Sequence, residues 1–183
     1  MNNKTKKITI IGLLTAIVFV SNYISIPVPT GFGVTRFHIA NGICILAAML
    51  VGPWWGGLAA GLGSMFYDFT NPAYVAGSPI TFIFKFTMAA VADLIVYSNG
   101  ASAKNTVKNI IGTIAGALTY VGLYLAKSYV VPRFFIAEPK AHDAIMKIVG
   151  TKAIASLTNA VIAVILALAL NKILRPLVEE RFN

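Results

Sequence analysis

The polar side chains that could do chemistry in this sequence sit inside apolar runs, and they recur at helical spacing. Ser64, Tyr67, Asp68 and Asn71 make one set, and Ser78, Thr81 and Lys85 a second. Tyr120, Tyr124, Lys127 and Ser128 make a third, and Lys152, Ser156 and Asn159 a fourth. Spacings of three, four and seven put each set on one helix face. Lys85, Lys127 and Lys152 face one acid, Asp68, so the charges do not balance. The surplus suits a carboxylate, a phosphate or an electron-rich heterocycle, with Tyr67, Tyr74, Tyr120 and Tyr124 available for stacking and hydrogen bonding. The chemistry on offer is non-covalent capture of a small molecule. A second reading is open, in which Asp68 and Lys85 satisfy one another while Lys127 and Lys147 reach out to a membrane interface.

Arg36 and His38 flank the start of another apolar run, beside the stretch Pro27-Val-Pro29-Thr-Gly31-Phe-Gly33. A lid that touches ligand and an interfacial anchor are both open to them. Asp93 lies too far along its run to join the four sets, and pairing with a loop lysine or an interface contact suits it better. Trp54 and Trp55 fall at a segment boundary, where an aromatic belt accounts for them. Catalytic constellations are missing: there is no G-x-x-x-x-G-K-[ST] phosphate loop, no G-x-S-x-G elbow and no H-E-x-x-H pair. The chain is therefore no ATPase by itself and no enzyme is expected. Cys44 is the lone cysteine, so neither a disulfide framework nor a cysteine-based metal site can form, and no metal or cofactor is expected.

The elements that position these residues must be membrane helices. Hydrophobic residues make up 57% of the 183 and charged ones 11%, against about a quarter charged in soluble domains. The net charge of +9 is scattered among apolar runs, not gathered on a basic face, which excludes a nucleic-acid partner. Six segments emerge between Pro, Gly, Asn or charged clusters: 8–26, 37–51, 54–69, 79–97, 107–131 and 144–174. The expected fold is an all-α integral membrane protein, a single domain over 1–183 built as a bundle of six transmembrane helices. The first segment is long and lacks a cleavage site, so it reads as a retained helix. Gly52-Pro53 alone separates the second and third segments, which requires a tight antiparallel hairpin.

Basic residues set the orientation. Lys4, Lys6, Lys7, Lys104, Lys108, Lys172, Arg175 and Arg181 fall on one side, against Arg36, Arg133, Lys140 and Lys147 on the other. Both termini are then cytoplasmic, loops 27–36, 71–78 and 132–143 face outward, and the polar sets gather in the outer half. The inner halves read as too apolar for a continuous polar path, which weighs against the competing reading of a stand-alone secondary transporter or channel for a small anionic or heterocyclic solute. Small residues repeat at four-residue spacing in Gly12/Ala16, Gly56/Ala60, Gly57/Gly61, Ala59/Gly63 and Gly112/Gly116. Such faces pack closely against other helices in lipid, and Gly12/Ala16 on the first helix is the pair best placed to meet another protein.

The stretch Arg36-Phe-His-Ile-Ala-Asn41, continued by Ile45-Leu-Ala-Ala-Met-Leu-Val-Gly52-Pro53-Trp-Trp-Gly-Gly57-Leu-Ala-Ala-Gly61-Leu-Gly63 and Asp68, resembles the S components of energy-coupling factor vitamin transporters. It is similar to the riboflavin-type branch, which includes carriers assigned to hydroxymethylpyrimidine and pyridoxine, and the likeness spans nearly the whole chain. Gly12-Leu-Leu-Thr-Ala16 matches the small-x-x-x-small signature of that family's first helix. The resemblance implies a six-helix bundle in a bacterial plasma membrane that binds a vitamin near its outer surface, roofed by the first and third outer loops. It also implies a separate membrane coupling subunit and two cytoplasmic ATPase subunits as partners, with toppling of the loaded S component as the transport step. Gly12 and Ala16 would contact the coupling subunit, and Thr81, Lys85, Tyr124, Lys127, Lys152 and Asn159 occupy helix regions that line the pocket in the family.

Overall fold

A computed structural model of the protein describes residues 3–30, 33–98, 105–135 and 141–182. Six α-helices and one β-hairpin run in the order α1 (Asn3–Ser21), β1 (Ser25–Thr30), β2 (Gly33–His38), α2 (Ala40–Val51), α3 (Pro53–Phe69), α4 (Ser78–Val96), α5 (Thr106–Phe134) and α6 (His142–Phe182). A single 3₁₀ turn, Val75–Gly77, precedes α4. The six helices fit the expected all-α bundle, and the first outer loop, 27–36, is folded as a β-hairpin.

Local chemistry explains the hairpin. The side chains of Ser21 and Asn22 both donate to the Val18 carbonyl, 2.8 Å away in each case, which ends α1 five residues before Ile26. The chain then pairs antiparallel, with Ser25 opposite His38 and Pro27 opposite Arg36. Pro27 and Pro29 are two residues apart, so both missing N–H groups fall on the same, unpaired edge of a two-stranded ribbon, where proline is tolerated. The second helix starts at Ala40 and not at Phe37, because Phe37 and His38 belong to β2. At the far end, α6 continues past the expected stop at Leu174, through Pro176. Residues Lys104 and Lys140, used to set the orientation, lie outside the described residues, as do Gly31 of the first loop and residues 136–140 of the third.

The α2–α3 hairpin forms as expected. Gly52 takes a φ of 94°, which only glycine adopts without strain, and Pro53 opens α3 where its fixed φ and missing N–H do no harm. A Cβ on Gly56 would overlap the Ala48 backbone, so the two helices touch along this face. Nine of the 12 residues of α2 are buried, which makes this short helix the centre of the bundle. It packs on α3, α4 and α6, while α1 leans on α3 and the sequence α3–α4–α5–α6 closes side by side. At about 18 Å, α2 is too short to cross a bilayer core of about 30 Å. By length and composition three stretches can cross: Val75–Val96, Thr106–Phe134 and His142–Pro176. Their outward residues, among them Ile83, Leu94, Ile114, Leu118, Val161 and Ile165, are exposed and apolar.

The helix halves away from the hairpin are less apolar than the sequence suggested. Asp93 and Tyr97 of α4, Asn109 and Thr113 of α5, and Asn171 and Arg175 of α6 gather there, and Asp93, Asn109, Thr113 and Asn171 are buried. Arg175 donates to the Met49 carbonyl over 2.5 Å and lies 5.6 Å from the Tyr97 ring. Between this group and the hairpin end runs a layer of Ile45, Ala48, Met49, Met88, Ala89, Ala92, Ala117, Val121, Ala160 and Ala163. Each of these residues is buried.

Candidate functional site

The hairpin lies against α6 and covers a cavity of about 670 Å³ enclosed by α3, α4, α5 and α6. Of the residues in the four polar stripes and the Arg36/His38 pair, Arg36, His38, Asp68, Thr81, Lys85, Tyr120, Tyr124, Lys127, Ser128, Lys152, Ser156 and Asn159 line it, as does Tyr74. Ser64, Asn71 and Ser78 do not, and neither does Tyr67, which accepts a hydrogen bond from the Arg36 guanidinium. Helical periodicity accounts for the convergence, since each of the four stripes faces the bundle axis at the same level.

Each polar group can be followed to its partner. Lys85, 2% exposed, donates to the side-chain oxygen of Asn41 and lies 4.5 Å from the centre of the Tyr120 ring. It therefore does not close the ion pair with Asp68 that one reading of the sequence offered. Thr81 lies beside Asp68 on the facing helix. Arg36 is sandwiched by aromatics, 4.6 Å from the Tyr67 ring and 4.8 Å from that of Tyr74. Such contacts suit a weakly hydrated guanidinium in a site poor in acids. Tyr120 and Tyr124 stack nearly parallel, with centres 6.0 Å apart, and Thr35 of β2 lies near Tyr124.

Asn159 ties the hairpin down. Its amide nitrogen donates to the Arg36 carbonyl over 2.7 Å, and its amide oxygen accepts from the His38 backbone N–H over 3.0 Å. One side chain thus replaces two strand hydrogen bonds and fixes β2 over α6. His38 is buried with its Nδ1 unpartnered. Burial first, then the charges of Lys85 and Arg36, hold its imidazole well below the ordinary histidine value, so it stands neutral. Arg36 and His38 both line the cavity from β2, with His38 buried.

The sequence reading missed Asn22, Thr35 and Asn41, and it missed the apolar lining of Ile80, Phe84, Val131 and Ile148. Phe84 and Ile148 sit next to flagged polar residues, and nothing in the spacing separated them from lipid-facing neighbours. Asp93 pairs with no loop lysine; it is 0% exposed, neither carboxylate oxygen is hydrogen-bonded, and the charge nearest it is Arg175. No cluster of three or more metal-ligating side chains occurs among the described residues. Gly12 and Ala16 face away from the bundle, and a Cβ on Gly12 would meet nothing within 4 Å. Gly112 and Gly116 behave oppositely: a Cβ there would come within 2.5 Å of the Ala92 carbonyl and 2.6 Å of the Met88 carbonyl.

Comparison with known proteins bears on this architecture. No curated protein matches the sequence. The fold is similar to the solved structure of the S component of a bacterial ECF transporter, with a TM-score of 0.65 at 20% identity, over 96% of this chain and 98% of that one. The sequence model of the family described as ECF-type riboflavin transporter, S component, matches residues 2–176. With that match running from the first helix through the last, the chain belongs to the ECF-type riboflavin transporter S component family.

Proposed function

We propose that this chain is the substrate-capture subunit of an energy-coupling factor importer, holding a water-soluble vitamin or vitamin precursor in the cavity beneath the β-hairpin. The observation that supports it most is a polar, aromatic-walled cavity with the buried apolar layer from Ile45 to Ala163 beneath it. A cavity of this size suits a vitamin-sized molecule, and a blind pocket binds without conducting. Riboflavin follows from the family's name, and hydroxymethylpyrimidine, pyridoxine and folate are the other candidates for the same scaffold.

The cavity faces outward with both termini in the cytoplasm of a bacterium. Arg36 and Arg175 are engaged inside the fold, and removing one from each side of the basic count still leaves seven against three. Capture proceeds by burial against Tyr120 and Tyr124 and by hydrogen bonds to groups such as Ser156 and Lys85, with no covalent step. Transport requires a membrane coupling subunit and two ATPase subunits, because no phosphate loop exists in this chain. Reconstitution into proteoliposomes tests the division of labour: the chain alone binds vitamin without accumulating it, and uptake appears when the coupling and ATPase subunits are added. Accumulation by the chain alone would establish a secondary transporter or channel and end this reading.

A further inference from the structure

The cavity is unevenly charged, and the imbalance has an address. Two of its four cations are accommodated by the protein: Lys85 by Asn41 and the Tyr120 ring, and Arg36 by Tyr67 and Tyr74. Lys127 of α5 and Lys152 of α6 are not. Both are half-buried, and neither hydrogen-bonds to any acceptor among the described residues. Lys152 has only the Tyr124 ring, 5.6 Å from its ammonium, and the Lys127 ammonium lies so near Gly77 that a Cβ there would sit 3.2 Å from it. The two charges repel one another. Asp68, the one carboxylate among the described residues of the lining, is shared among Lys85, Arg36 and Lys127.

Unpaired ammonium groups on facing helices of a membrane-embedded cavity are costly, and both costs fall when one anion enters the cavity beside them. We propose that the ligand is a heterocycle bearing an anionic group, a carboxylate or a phosphate, and that Lys127 and Lys152 supply its counter-charges. This proposal rests on the capture reading and narrows its substrate class.

Three matched pairs test it with the full chain in detergent, by calorimetry and thermal shift: riboflavin with riboflavin 5′-phosphate, pyridoxine with pyridoxine 5′-phosphate, and nicotinamide with nicotinate. In whichever pair binds, the anionic member should bind at least about tenfold tighter, and that preference should shrink with added salt. Lys127→Gln and Lys152→Gln should each reduce the preference while melting like the parent chain. The nicotinate arm distinguishes a carboxylate from the phosphate arms. Equal or tighter binding of the neutral member overturns the proposal and leaves capture standing, as does a preference that survives both substitutions and high salt. Failure of all six compounds to bind overturns the proposal, while the capture reading stands or falls on the proteoliposome experiment.

Discussion

At the scale of single residues, the cavity is organised less by its charges than by one amide. Asn159 was legible in the sequence as the last member of a polar stripe, yet spacing could not show that both ends of its side chain are taken by the backbone of β2. That pairing joins residues more than a hundred positions apart, and it exists only once α6 and the hairpin meet. Asn41, partner of Lys85, was missed for the same reason. Truncating Asn159 leaves a buried N–H and a carbonyl unpaired, at a cost of about 1–3 kcal/mol for each group that water cannot reach. Asn159→Ala should therefore lower the melting temperature and speed ligand release by at least about tenfold, since a roof that opens more often releases more often. Asn159→Asp keeps the acceptor for His38 but loses the donor to Arg36, and should fall between the two. Unchanged release rates in both variants, followed by stopped-flow fluorescence, would mean that the hairpin is held by other contacts.

At the scale of elements, small residues at four-residue spacing fall into two settings in the fold, packed between helices or exposed. Gly112 and Gly116 let α5 approach the carbonyls of α4, whereas Gly12 and Ala16 lie on the exposed face of α1 with Leu13 and Ile17 beside them. The helices themselves were readable from runs of apolar residues, and the α2–α3 turn from Gly52-Pro53. The β-hairpin was not, because Pro27 and Pro29 argue against a central strand and are acceptable only on the free edge of a ribbon. The two kinds of glycine should separate experimentally. Gly116→Ala pushes a methyl into a backbone carbonyl and should destabilise the isolated chain by about 1–3 kcal/mol. Gly12→Leu and Ala16→Leu should leave melting and vitamin binding unchanged while abolishing co-purification with the coupling subunit. Normal assembly of both leucine variants would move the partner face off α1.

At the scale of the whole molecule, the chain holds two polar regions at opposite ends of the bundle with an apolar layer between them. Sequence reasoning found the first by its periodicity and overlooked the second, because Asp93/Tyr97, Asn109/Thr113 and Asn171/Arg175 are only pairs one turn apart on three helices, shorter than the stripes at the hairpin end. Lys85 and Asp93 stand eight residues apart on α4, about 12 Å along the helix axis, with Met88, Ala89 and Ala92 packed around the intervening turns. Neighbouring groups couple energetically, and groups beyond about 7–10 Å with no shared partner add independently. The partners seen at each end differ: Lys85 bonds to Asn41 at the start of α2, and Arg175 bonds to the Met49 carbonyl near its end. Asp93→Asn should therefore leave vitamin affinity in the isolated chain within about threefold of the parent value, and its effect on stability should add to that of Asn159→Ala within about 0.5 kcal/mol. A tenfold loss of affinity in Asp93→Asn, or a clear departure from additivity in the double variant, would show that the layer between the ends transmits change. The bundle would then be a conformational unit through which ligand at the hairpin end is sensed at the other, and not a cup on an inert base.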